Sequence, residues 1–151
     1  VTVPRRFPPS GDEGSAVIEF LGLALVLLVP LVYLVLTLAR VEAATFAAEG
    51  AAREAARTYV AADGSAEGTR RAVAAVGIAL RDQGFDDDPA RALTLTCSTT
   101  PCLTPGSDVA ARIDVRVPLP FVPTFVRDVV PLELPVSAQR VAPVDTYRST
   151  R

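Results

Sequence analysis

The sequence predicts an α+β protein. A long N-terminal transmembrane helix continues into an extracytoplasmic helix, a second short helix follows, and a small antiparallel sheet of about three strands closes the chain. Three observations predict this. Residues 20–39 carry no charge, Ala recurs at helical spacing over residues 41–62, and after residue 92 apolar side chains alternate with period two. A chain of 151 residues has room for one modest domain beside an anchor. The expected division is a leader over 1–14, a transmembrane helix over 15–40 and an extracytoplasmic α+β domain over 41–151.

Composition narrows the function classes. All 15 basic residues are Arg, and Lys, His, Asn, Met and Trp are absent, a bias that reads as the stamp of a GC-rich genome. Without His the chain lacks the commonest general base and the commonest metal ligand. From Arg40 onward 13 Arg face 14 Asp and Glu, so no basic field exists for nucleic acid.

The twenty uncharged residues 20–39 end at Arg40. As a helix they extend roughly 30 Å, the thickness of a bilayer's hydrocarbon core. The run is longer than the ~7–15 apolar residues of a secretory signal. Ala39-Arg40-Val41 makes a poor signal-peptidase site, whereas Ala43-Ala44 leaves removal of the segment open. Pro30, mid-span, deletes one helical hydrogen bond and predicts a kink.

Glu19 stands directly before this run. A carboxylate there costs less than the ~2.5–3.5 kcal/mol of a charge at the bilayer centre, but it still calls for an explanation. It can snorkel to the headgroups or complement the helix dipole, or it can wait for a cation from elsewhere. The preceding VTVPRRFPPSGDEG is polar, carries Arg5 and Arg6 and is interrupted by three prolines, so it is not expected to fold. Because Arg40, Arg53 and Arg57 follow the span, basic residues do not settle its orientation.

Residues 41–62 continue the helix. Ala43, Ala44, Ala47, Ala48, Ala51, Ala52, Ala55 and Ala56 form a band of small residues, with Glu49, Arg53, Glu54 and Arg57 on a more polar side. Such a band suits close packing, on the chain's own domain, on a neighbouring helix or on both. Asp63-Gly64-Ser65 breaks the helix. A second helix over about residues 66–82 presents Val73, Val76, Ile78 and Leu80, and Gln83-Gly84 ends it. Asp86, Asp87 and Asp88 before Pro89 lack the spaced ligands of a calcium loop and read as a solvated turn.

Three strands follow. Residues 92–97 make one candidate. Residues 108–117 make a clearer one, with Val109, Ala111, Ile113, Val115 and Val117 on one face. Leu132, Leu134, Val136 and Ala138 make the third. Between the last two, the prolines of PLPFVPTFVRDVVP forbid a central strand, and Phe121 and Phe125 are expected on the sheet, the membrane or a neighbour. Cys97 and Cys102, in CSTTPC, are the only cysteines and flank a tight turn in an expected hairpin. Two Cys without His are too few for zinc. A structural disulfide is favoured over a reactive pair, and it would place the C-terminal domain outside the cytoplasm.

Gly14, then Ser15-Ala16-Val17-Ile18, then Glu19-Phe20 and an apolar helix resembles a type IV prepilin processing site. The stretch GSAVIEFLGLALVLLVPLVYLVL, with Pro30 and the Ala-rich AATFAAEGAAREAA beyond it, is similar to the N-terminal signature of TadE-like minor pilins of the tight-adherence (Flp) pilus system. The resemblance covers about residues 11–60. It implies cleavage between Gly14 and Ser15 by a prepilin peptidase. It also implies an assembly role for Glu19 and Phe20, with Glu19 pairing with the N-terminal amine of a neighbouring subunit. The expected partners are the membrane, the prepilin peptidase, a major Flp-type pilin, other minor pilins and the pilus assembly machinery. The expected location is the cytoplasmic membrane, single-pass with the C-terminal domain outside, and a surface pilus after assembly. The roughly ninety residues after Val60 exceed what a major pilin of that system carries. A competing reading is a single-span anchored or secreted extracytoplasmic binding domain. No Gly-x-Ser-x-Gly, phosphate-cradling loop or spaced carboxylate pair points to an enzyme, and neither a metal nor a cofactor is expected.

Overall fold

The computed structural model describes residues 13–120 and 133–148. The element order is α1 (Glu13–Val60), α2 (Ser65–Asp82), α3 (Pro89–Ala92), β1 (Leu93–Cys97), β2 (Asp108–Pro118) and β3 (Glu133–Pro143). The protein is therefore α+β, with a long apolar N-terminal helix, further short helices and one three-stranded antiparallel sheet. The chain divides into two compact units, Val1–Leu36 and Thr37–Arg151.

Within the first unit, α1 exposes its apolar side chains all round. Nothing in its most apolar window is buried, and mean hydropathy there is 2.7. By length and composition this is a helix able to cross a membrane. Pro30 lies inside it, and the helix is assigned without a break across that position. Its ring nitrogen has no hydrogen for the carbonyl of Val26, one turn earlier.

The second unit holds the core. The sheet order is β1-β2-β3, with β2 central. Leu93 pairs with Ile113 and Cys97 with Val109 on one side of β2, while Val115 pairs with Val136 and Ala111 with Arg140 on the other. Because side chains alternate across the pleat, Val109, Ala111, Ile113, Val115 and Val117 all turn to one face, where each is buried. They form one cluster with Ala44, Ala47, Ala48, Ala51, Ala52, Ala55 and Ala56 of α1 and with Ala72, Val76 and Leu80 of α2. The methyl groups contribute little area themselves. Their effect is to let the branched residues of β2 come close enough to lose their water, worth roughly 1.5–3 kcal/mol for each Val, Leu or Ile.

The alanine band is thus covered by the chain's own domain. The two helices also meet closely at Gly68, where an added Cβ would lie 3.0 Å from both Tyr59 Cδ2 and the Tyr59 carbonyl oxygen. Ile78, grouped with the apolar face of the second helix in the sequence, is 56% exposed, and its expected place is taken by the smaller Ala72 and Gly68. The helix ends at Gln83, and Gly84 follows at φ +74, a left-handed conformation that glycine adopts without steric cost.

The Asp86–Asp88 segment is more than a solvated turn. Asp88 caps α3, its Oδ1 accepting from the Ala90 N–H at 3.0 Å, with Pro89 at the first helical position. The third strand begins at Glu133, so Leu132, Phe121 and Phe125 lie outside the described residues, as does the leader up to residue 12.

Candidate functional site

The residues singled out in the sequence fall into two places. Ser15, Glu19, Phe20 and Pro30 lie on α1 in the first unit, while Cys97 and Cys102 lie in the second. Helix α1 starts at Glu13, so both Gly14 and Ser15 are already helical and the bond between them sits in the first turn. This differs from the expectation of an unfolded leader running to residue 14. The physical reason is that a helix established in the apolar run extends residue by residue, so it propagates back through Gly14.

Ser15 and Glu19 are four residues apart on this helix and therefore near neighbours along one face. Both are exposed, as is Phe20 at 69%. The Glu19 carboxylate makes neither an ion pair nor a hydrogen bond with any described residue. Beyond it the surface is apolar for twenty residues. Leu27 and Val29 are among the side chains fully presented. A carboxylate at the head of such a surface is stable in water. It becomes expensive once the surface is covered by lipid or by other helices, unless a cation accompanies it.

In the second unit, Cys97 and Cys102 form a disulfide with Cα atoms 5.1 Å apart. It closes the loop between β1 and β2. The same loop is held by Ser107, whose hydroxyl donates to the carbonyls of Cys102 at 3.1 Å and Thr104 at 2.6 Å, and by the Ser98 hydroxyl, which accepts from the Asp108 N–H at 2.9 Å. Among the described residues no free cysteine remains.

Charge pairing elsewhere in the unit is exposed, and most of it is local. Arg57 and Glu54 bridge on α1 at 2.6 Å, and the Arg57 hydrogen bond holds the Glu54 carboxyl below its usual range and raises the guanidinium. Arg112 is raised by its hydrogen bonds to Asp114. Arg140 of β3 reaches Glu49 of α1 at 2.9 Å. Among the described residues no group of three or more His, Cys, Asp or Glu is placed to hold a metal ion.

Sequence reasoning missed Arg148. Its guanidinium donates to the carbonyls of Val60, at 2.7 Å, and Ala62, so it ties the end of the chain to the end of α1. The signal available was only an Arg near the C-terminus, with nothing to indicate its acceptors.

The comparisons found no matching protein-family model, no matching curated protein and no matching solved structure.

Proposed function

We propose that this chain is a minor pilin or pseudopilin, a structural subunit that takes part in assembling a tight-adherence, type IV-like pilus. In this reading a prepilin peptidase cuts between Gly14 and Ser15 on the cytoplasmic side. The span holds the subunit in the cytoplasmic membrane with the disulfide-bearing domain outside. The exposed helix then packs with a major Flp-type pilin, other minor pilins and the assembly machinery, and Glu19 takes the new N-terminal ammonium of a neighbour as its counter-ion.

The observation that carries the reading is the setting of Glu19. It is a carboxylate with no partner among the described residues, at the head of a fully exposed apolar helix and one residue before Phe20. A neighbouring ammonium offsets the cost of covering it and fixes the axial register between subunits. The buried alanine band adds a constraint. Since the alanines between residues 44 and 56 already pack on their own domain, lateral packing between subunits falls to the exposed surface of residues 15–36 and to side chains such as Phe46 on the opposite side of α1.

One observation favours the competing reading of a single-span anchored binding domain. The bond between Gly14 and Ser15 is helical, whereas a peptidase takes its substrate in a more open form. Co-assembly separates the two. The proposal expects Glu19→Ala to insert into the membrane normally but to fail to co-purify with the other pilins. Unchanged co-assembly of that variant would remove the pairing argument.

A further inference from the structure

Arg40 of α1, the Gly84–Asp87 turn after α2, the end of β2 and the start of β3 leave a cavity of about 460 Å³ in the second unit. Arg40, Arg116, Asp86, Asp87 and Glu133 line it, beside the buried Phe85. The walls are fixed by backbone hydrogen bonds. Phe85 N–H donates to the Leu80 carbonyl at 3.0 Å, and Gly84 N–H donates to that of Arg81 at 2.9 Å. The Arg40 guanidinium lies over the turn, its Nη1 3.8 Å from where a side chain at Gly84 would begin. Arg116 stands 3.8 Å from Glu133, while Arg40, Asp86 and Asp87 form no ion pair with a described residue.

We infer that this cavity binds a zwitterionic phosphoethanolamine group, the headgroup of a membrane phospholipid. Among the described lining residues, two arginines are set against three carboxylates, a net charge of minus one. A simple anion meets the carboxylates and a simple cation meets the arginines. A phosphate carrying an ammonium two carbons away satisfies both, the phosphate on Arg40 and Arg116 and the ammonium on Asp86 and Asp87. A choline headgroup has no N–H to donate and is bulkier, so the primary ammonium is preferred. The lipid source follows from Arg40. It is the first charged residue after twenty uncharged ones, which in a helix span roughly 30 Å, and that places it at headgroup depth. The inference rests on the reading that residues 20–39 lie in the bilayer.

The test uses the full chain in bilayers of equal parts phosphatidylethanolamine, phosphatidylcholine and phosphatidylglycerol. The protein is extracted in mild detergent, and retained lipid is counted by native mass spectrometry. Phosphatidylethanolamine should be retained in preference to the other two. Arg40→Gln, at an exposed position, and Asp87→Asn, at a half-buried one, should each reduce that retention roughly tenfold, the effect of losing one charge-assisted hydrogen bond. Arg112→Gln, which does not line the cavity, should leave it unchanged. Soluble glycerophosphoethanolamine should displace the lipid. Equal retention of the three lipids, a preference for phosphatidylglycerol, retention indifferent to both variants, or failure of the soluble headgroup to compete would each overturn the assignment. Circular dichroism of the variants confirms that they fold. Alkaline carbonate extraction of the same membranes reads embedding separately, because release of the chain would defeat the membrane reading and not the cavity's chemistry.

Discussion

Arg148 donates through Nη1 to the carbonyl oxygen of Val60 at 2.7 Å, across 88 positions of sequence, and through Nη2 to Ala62. The last carbonyls of a helix have no partner within it, and the negative end of the helix dipole favours a cation there. One guanidinium therefore supplies a donor and the complementary charge to the Val60 carbonyl that ends α1, and a second donor to the Ala62 carbonyl just beyond it. Arg148→Ala should destabilise the second unit by about 1–3 kcal/mol, read from urea denaturation followed by circular dichroism, and Arg148→Lys should recover only part of it. A variant as stable as the parent would mean that water serves these carbonyls equally well.

Two glycines on neighbouring helices should respond oppositely to the same substitution. At Gly50, on the exposed side of α1, an added Cβ meets nothing within 4 Å, so Gly50→Ala should stabilise by roughly 0.5–1 kcal/mol through helix propensity alone. At Gly68 the added Cβ meets the Tyr59 backbone at 3.0 Å, so Gly68→Ala should destabilise by about 1–3 kcal/mol. Thermal melting of the pair checks the sign of each.

The disulfide between Cys97 and Cys102 closes a short loop. Chain-entropy reasoning assigns such a loop about 2 kcal/mol, near the low end for disulfides. The double variant Cys97→Ser, Cys102→Ser should lose about that much in urea denaturation while keeping the sheet. Protein purified from its native membrane under non-reducing conditions should show no free thiol to an alkylating reagent.

Glu54 supplies a small pH dependence. Its carboxyl is held below the usual 4.5 by the hydrogen bond from Arg57. The stability it contributes is thus fully present above its unfolded pKa and disappears as pH falls through the lower folded value. Glu54→Gln should melt slightly below the parent at pH 7, and the two should converge in acid. Because the pair is exposed, the difference at pH 7 should be small.

The elements were legible where local pattern and tertiary setting agree. The uncharged run, the alanine spacing and the alternation of Val109, Ala111, Ile113, Val115 and Val117 each named an element and its inward face. Strand β3 was legible only in part. At Arg140 and Val141 the residue types break the alternation, for Arg140 occupies an inward position and Val141, 58% exposed, an outward one, before Ala142 resumes it. The salt bridge from Arg140 to Glu49, far away in sequence, and a hydrogen bond to the Gln139 carbonyl serve the guanidinium there. Helix α3 was hidden for a related reason: an Asp before a Pro reads equally as a turn or as a cap. Within the candidate site, the position of Glu19 was readable from the sequence. Its lack of a partner among the described residues was not, because that depends on everything folded around it.

We propose Gly14, Ser15 and Glu19 as a prepilin processing and assembly site. The most direct measurement is the N-terminus and intact mass of the membrane-extracted chain, with and without co-expressed prepilin peptidase. The account predicts a chain beginning at Ser15 only when the peptidase is present, and two hydrogens lighter than its reduced form. A chain uncut between Gly14 and Ser15 in both samples, or one beginning near Ala44, would contradict it.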